Sequence, residues 1–213
     1  MYADDVSVAQ AMIYADRSAE ARDMLVELLP VAHRAGNPSL LAWAYYITGE
    51  AAADVDIDRA LAAYDTAIEY GNQADCRLFV MLAQGSSVAQ AAHRGAPAAA
   101  LQQFRQILSQ QEEVGNELIE LWVLRFLVVL LDRVEAYHDA AVLAGMLLAA
   151  RGRFPNFGPY QDPVPLAMGH IRERLGTELT EVALSEGKRL SQSEAIAHAR
   201  RAIESAIATV APV

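Results

Sequence analysis

The 213-residue chain reads as all-α, an array of antiparallel helical hairpins stacked side by side, and three observations carry that reading. Ala60, Tyr64 and Ala67 fall at i, i+4 and i+7, one face of a helix. The same spacing returns as Ala21, Leu25, Leu28; as Ala100, Phe104, Ile107; and as Ala140, Ala144, Leu147, with first positions 39, 40 and 40 residues apart. A constant period of that size marks a repeat architecture in which no helix pair can bury its apolar face alone. Second, 54% of the residues are hydrophobic, yet long β-branched runs are missing, and Val128-Val129 sits inside a helical period. Third, Gly, Asn and Pro punctuate the periodic segments where helices should end and begin.

The elements follow in order. Residues 6–15 form the second half of a truncated pair. Ser18 is placed to cap the next helix, with Glu20 in its first turn and His33 and Arg34 before Gly36, charges that suit the helix dipole. Pro30 deletes one backbone hydrogen bond and predicts a kink or break near 26–30. Pro38 suits the first turn of a helix over 39–54. A partner over 58–71 should stop at Gly71-Asn72. The next pair is 75–92, closed by His93-Arg94-Gly95, and a helix from Pro97 to Gly115-Asn116. Residues 117–134 are apolar on most sides, the mark of a central helix, and 138–150 are almost wholly aliphatic.

The pattern breaks at 151–165, where Pro155, Pro159, Pro163 and Pro165 forbid a continuous helix while Phe154, Phe157 and Tyr160 predict an ordered loop packed back on the array. That loop can cap the array, line a pocket or meet a neighbouring subunit. Helices over 164–175 and 177–186 follow, the second stopped by Gly187. Ser191 and Glu194 make a capping box that opens a last helix over 192–209. The domain plan is therefore an array at 1–150, the loop at 151–165 and a helical cap packed on the array at 166–213.

Tyr45 and Gly49, followed by Ala60, Tyr64 and Ala67, resemble the signature of tetratricopeptide repeats: a large residue and a glycine on the first helix, then Ala, an aromatic and Ala on the second. Thr48 stands where that family prefers Leu, the closing proline is missing, and the period is nearer 40 than 34. The resemblance implies hairpins stacked into a right-handed superhelix with longer helices than usual. The glycine would let the paired helix approach closely. Farther on, Leu175-Gly176, Gly187, Leu190, Ser191, Glu194-Ala195 and Ala199 resemble the C-terminal tail of large actinobacterial regulators. These join a signal-transduction (STAND-type) ATPase core to a tetratricopeptide-like array, some with a cyclase domain or a LuxR-type DNA-binding domain. That resemblance implies a helical-repeat portion of such a regulator, acting in signal transduction and transcription regulation. The ATPase's own GxxxxGK[ST] phosphate loop does not occur in the chain.

Composition narrows the function classes. A formal charge of −10 repels phosphate backbones and argues against direct nucleic-acid binding. The longest apolar run, 126–131, is far short of the roughly 18 residues of a membrane span. The first residues lack a secretory pattern, and a single cysteine, Cys76, suits a reducing compartment, so a cytoplasmic location is expected.

Candidate sites lie on the first helix of each pair, which lines the concave groove of a stacked array. These are Trp43, Tyr46, Glu50, Arg77, Phe79, Trp122 and Arg125, aromatics and arginines of the kind binding hot spots use. Trp122 and Phe79 suit the core between repeats better than the groove, while Tyr46 and Arg125 suit either equally. Asp54, Asp56 and Asp58 lack the Gly and Glu of a calcium loop and read as capping charges. The five histidines never fall at metal-ligand spacing, and His138-Asp139 has no accompanying nucleophile motif. Leu25, Leu28 and Leu29 form an LxxLL string that coincides with the core face. The expectation is a non-catalytic module without cofactor or metal, binding a partner protein or peptide, the ATPase domain of the same regulator included. A stand-alone small-molecule or peptide receptor, resembling bacterial peptide-pheromone sensors, and a homodimerisation module are the alternatives.

Overall fold

The computed structural model describes residues 2–114, 117–150 and 162–210. Among them the chain is all helix: α1 (Tyr2–Tyr14), α2 (Ser18–Ala35), α3 (Pro38–Ala52), α4 (Ile57–Gln73), α5 (Arg77–Arg94), α6 (Pro97–Val114), α7 (Glu117–Arg133), α8 (Tyr137–Ala149), α9 (Val164–Leu175), α10 (Thr177–Gly187) and α11 (Gln192–Thr209). No helix among the described residues is long and apolar enough to cross a membrane. The chain divides into two compact units, Met1–Gln90 and Ala91–Val213, with the division inside α5. Residues 151–161 of that loop, and the Gly115-Asn116 stop, lie outside the described residues.

All twelve residues of the four periodic triplets are buried. In the N-terminal unit α1 packs on α2, α2 on α3, and α3 most extensively on α4, with α1 also reaching α3. Alanines make the closest of these contacts possible: Ala44, Ala51, Ala52, Ala60 and Ala67 are all buried in one core with Tyr64. Gly49 is part of the same fit, because a Cβ there would run into the Tyr64 ring. Thr48, the departure from the repeat pattern, is buried with its hydroxyl donating to the Ala44 carbonyl at 2.8 Å, which satisfies the polar group inside the helix. Arg22 of α2 donates to the Ala51 carbonyl at 2.7 Å and so covers an open carbonyl near the end of α3.

Helix ends follow the local chemistry with three corrections. Gly36 closes α2 in the left-handed region at φ 64°, Asn37 accepts from the Ser39 and Leu40 amides, and Asp56 accepts from the Arg59 amide at 3.0 Å. Ser18, however, is not a cap: Arg17 holds that position without a capping bond and instead forks onto Glu20. The α2 helix also runs unbroken through Pro30. Gly71 does not end α4, which continues to Gln73. Asp75 takes the positive φ, and Gly71 is buried where a Cβ would lie 2.7 Å from Val80 Cγ2. A glycine that resembles a helix stop in the sequence serves close packing here.

In the C-terminal unit α7 is central, packing on α6, α8, α9 and α11, and from Leu121 to Leu131 only Arg125 is not buried. Helix α10 lies closest to α8. A Cβ on Gly145 would collide with the Leu184 carbonyl, and one on Gly187 with the Val142 carbonyl, so each helix places a glycine against the other's backbone. Arg133 closes α5, donating to the carbonyls of Ala91, Ala92 and Gly95. Arg200 of α11 donates to Leu108 of α6 at 3.0 Å. The capping box that opens α11 is complete, with Ser191 and Glu194 bonded reciprocally.

Candidate functional site

In the N-terminal unit α1, expected as the second half of a truncated pair, instead comes first and packs on α2, and α1, α3 and α5 bring side chains onto one face. Trp43 of α3 and Phe79 of α5 are both half-buried and stack with ring centroids 5.9 Å apart and planes at 16°. The Trp43 indole N–H donates to Gln10 Oε1 of α1 at 3.2 Å, and Gln10 in turn donates to the Tyr14 hydroxyl. Helices α1, α3 and α5 are thus joined by one polar-aromatic row. Arg77, in the first turn of α5, is exposed, and so is its neighbour Leu78.

Tyr46 and Glu50 belong elsewhere. Both are buried, with 5% and 8% of their surface exposed, and Tyr64 donates its hydroxyl to Glu50 Oε1 at 2.8 Å while its ring tilts against Tyr46. A carboxylate in that position costs free energy unless it is hydrogen-bonded, so Tyr64 is both packing residue and donor. These two positions hold α3 to α4 and offer almost no surface.

Trp122 and Arg125 lie on α7 in the other unit. Trp122 is 7% exposed and packs edge-on against Phe126, whose ring also meets the edge of His93. Burial pushes the His93 imidazole below its usual range, and the neighbouring Arg94 and Arg133 push it the same way. Arg125 is half-buried on the same helix. Of the seven expected residues, the structure brings Trp43 and Phe79 into contact, leaves Arg77 exposed, and buries Tyr46, Glu50 and Trp122.

Three features were not legible from spacing. His33, read only as a dipole charge at the end of α2, shares a 2.8 Å hydrogen bond with the Tyr45 hydroxyl, and both rings meet Tyr70, which stacks on Tyr45 at 5.8 Å. Burial, and then the adjacent Tyr70, raises the Tyr45 phenol. The three residues come from α2, α3 and α4, so only a three-dimensional fold joins them. The shared placement of His33 and Tyr70 in the last turns of alternate helices was the available signal.

The second feature is a set of imidazole–carboxylate pairs in the C-terminal unit. His170 Nδ1 lies 2.7 Å from Asp132 Oδ1, His198 Nε2 lies 3.0 Å from Asp139 Oδ1, and His138 Nε2 lies 3.9 Å from Glu186 Oε2. His198 holds the Asp139 carboxyl below the usual carboxylate range. His138 and Asp139 therefore face different partners. The third feature is an aliphatic cleft of about 210 Å³ lined by Leu148, Val164, Pro165, Met168 and Leu184, with Arg172 at its edge ion-paired to Glu181 at 3.2 Å.

The remaining motifs fall into place as packing or surface. Leu25 and Leu28 are core, with Leu29 packed against it, while Asp54, Asp56 and Asp58 are exposed around the start of α4. Among the described residues no group of three or more His, Cys, Asp or Glu side chains is arranged to hold a metal ion. No family model, curated protein or solved structure matches the chain.

Proposed function

We propose that the chain is a tetratricopeptide-like, right-handed array of helical hairpins that serves as the protein-interaction or sensor module of a cytoplasmic signalling or transcriptional regulator. In this reading it binds a partner protein or peptide on the face lined by α1, α3 and α5. The Trp43–Phe79 stack with Gln10 at its edge is the observation that carries this reading. It sets two flat, half-exposed rings and a polar amide on one face, the composition that recognition of a peptide or helix uses. Arg77 and Leu78 extend that face with a cation and an aliphatic side chain. The proposed partner is the ATPase region of the regulator, a choice that rests on the resemblance of 175–199. Binding regulates only to the extent that it favours one arrangement of the partner over another.

Titration with that ATPase region, in the presence and absence of nucleotide, tests the reading. Saturable binding that weakens at least tenfold in the Trp43→Ala, Phe79→Ala double variant is the expected outcome. Failure to bind under every nucleotide condition counts against the ATPase partner, and undiminished binding by the double variant counts against the face. A second reading, a receptor for a small aliphatic acid, is favoured by the cleft at Leu148, Met168 and Leu184 with Arg172 at its rim. Its sign would be a thermal shift with medium-chain acids that disappears in Arg172→Gln.

A further inference from the structure

The aliphatic cleft of the C-terminal unit is walled by three helices, with Leu148 from α8, Val164, Pro165 and Met168 from α9, and Leu184 from α10. Pro165, Met168 and Arg172 fall at i, i+3 and i+7, so one stripe of α9 runs along the cleft and ends in a guanidinium. Among the described residues that line the cleft, Arg172 alone carries charge. Its neighbour Arg174 is committed elsewhere, to the Tyr137 hydroxyl and to Glu135. The volume of about 210 Å³ limits what fits. An apolar cavity of about 150 Å³ holds benzene, so this one takes a chain of about eight carbons.

Arg172 already has a partner in Glu181, which sits one turn before Leu184 on α10. Its Nη2 donates to Glu181 Oε1 at 3.2 Å, longer than the roughly 2.7–2.9 Å of a good charge-assisted bond. That contact engages one guanidinium nitrogen, whereas a free carboxylate can take a planar fork of two N–H donors. Both side chains are about half exposed, at 45% and 52%, so water screens the attraction. A carboxylate carried on an aliphatic chain has an advantage over Glu181: burial of its tail in the cleft holds its head group at Arg172. Resting on the reading of this cleft as a site for an aliphatic acid, we propose that Glu181 is a resident competitor for Arg172. A saturated monocarboxylate of about eight carbons lays its chain along Leu148, Met168 and Leu184 and displaces Glu181 from the guanidinium. Glu181 opposes that ligand twice, by holding Nη2 and by placing a like charge beside the incoming one. An uncharged chain of the same length meets neither obstacle. Because the Arg172–Glu181 pair also joins α9 to α10, a bound acid removes one of the links between those helices.

Calorimetric titration of the full chain with octanoate and with octan-1-ol tests this. Glu181 and Arg172 are both exposed, so Glu181→Gln and Arg172→Gln should leave the fold intact. Octanoate should bind Glu181→Gln about two- to fivefold more tightly than the wild type, the size expected of a partly exposed ion pair, while octan-1-ol binds the two alike. Leu148→Trp, which fills the cleft from its half-buried wall, should abolish binding of both ligands. Octanoate affinity that does not rise in Glu181→Gln, or a gain shared equally by octan-1-ol, overturns the competitor and leaves the acid site standing. Octanoate binding that survives unchanged in Arg172→Gln or in Leu148→Trp, or is missing from both the wild type and Glu181→Gln, sinks the acid site and the competitor with it. Should Leu148→Trp fail to fold, Arg172→Gln decides the question of the site by itself.

Discussion

The two compact units solve the same problem, holding helices together with very small residues, by different means. In the N-terminal unit the close approach of α3 and α4 is made against a side chain: Gly49 leaves room for the Tyr64 ring, and the Tyr64 hydroxyl then reaches inward to Glu50. In the C-terminal unit it is made against backbone: Gly145 and Gly187 bring α8 and α10 together so that each rests on the other's carbonyls. An aromatic ring can yield by turning about its own side-chain torsions, here at the expense of the bond to Glu50, but a helical carbonyl cannot move without its helix. The first unit is thus built on adjustable aromatic contacts, among them the Trp43–Phe79 and Tyr45–Tyr70 stacks, and the second on fixed ones, fastened at the edges by arginine and histidine.

Alanine scanning of the glycines breaks or sharpens that contrast most strongly. Gly187→Ala and Gly145→Ala should each cost about 3 kcal/mol in thermal or urea unfolding, whereas Gly49→Ala should cost about 1–2 kcal/mol because Tyr64 can give way. Equal costs at the three positions would erase the distinction. Next in size is Tyr64→Phe, which removes a hydroxyl donor from the buried Glu50 and should destabilise by about 2 kcal/mol. Tyr45→Phe, at a half-exposed hydroxyl bonded to His33, should cost under about 1 kcal/mol in the same assay.

A pH scan of the C-terminal unit sets the third comparison. Because His198 lowers the Asp139 carboxyl, the stability it contributes is present above the ordinary carboxylate range and is lost as pH falls through the lowered value. Asp139→Asn should therefore lower the melting temperature at neutral pH and lose less of it on acidification than the wild type. An identical acid slope in the two proteins would argue that the pair is only a surface contact. The smallest expected effect is a gain. Glu135 occupies the left-handed region at φ 63° in the α7–α8 turn, and Glu135→Gly should raise stability by about 0.5 kcal/mol, the relief of backbone strain exceeding the loss of the exposed contact to Arg174.

What the sequence revealed is what period and size encode. The four triplets that begin at Ala21, Ala60, Ala100 and Ala140 are buried because apolar spacing of 3 and 4 places them on one helix face, and that holds whatever the neighbour is. The Ser191–Glu194 box and the Gly36 stop were legible for the same reason: they are local. Gly71 is not the stop its sequence suggests because its role as a contact depends on Val80 of another helix, and Gly187, which does end α10, gives no sign in the sequence that it also packs on Val142. The candidate site divides along the same line. Trp43 and Phe79 could be assigned to one face from the repeat, but Tyr46 and Glu50 could not be told from surface until Tyr64 was seen to cover them. The histidine pairs across α7, α8, α9 and α11 had no sequence signal at all, since each joins residues of different helices.

The central claim, that the α1, α3 and α5 face is where a partner docks, has a direct optical test, because the chain has two tryptophans and one of them is on that face. In a Trp122→Phe variant the emission reports Trp43 alone. A proposed ATPase partner whose own tryptophans have been replaced should shift and quench that emission saturably as it is titrated in, with a midpoint matching the binding curve measured by calorimetry. Calorimetric binding that leaves Trp43 emission unchanged would place the partner elsewhere and contradict the account.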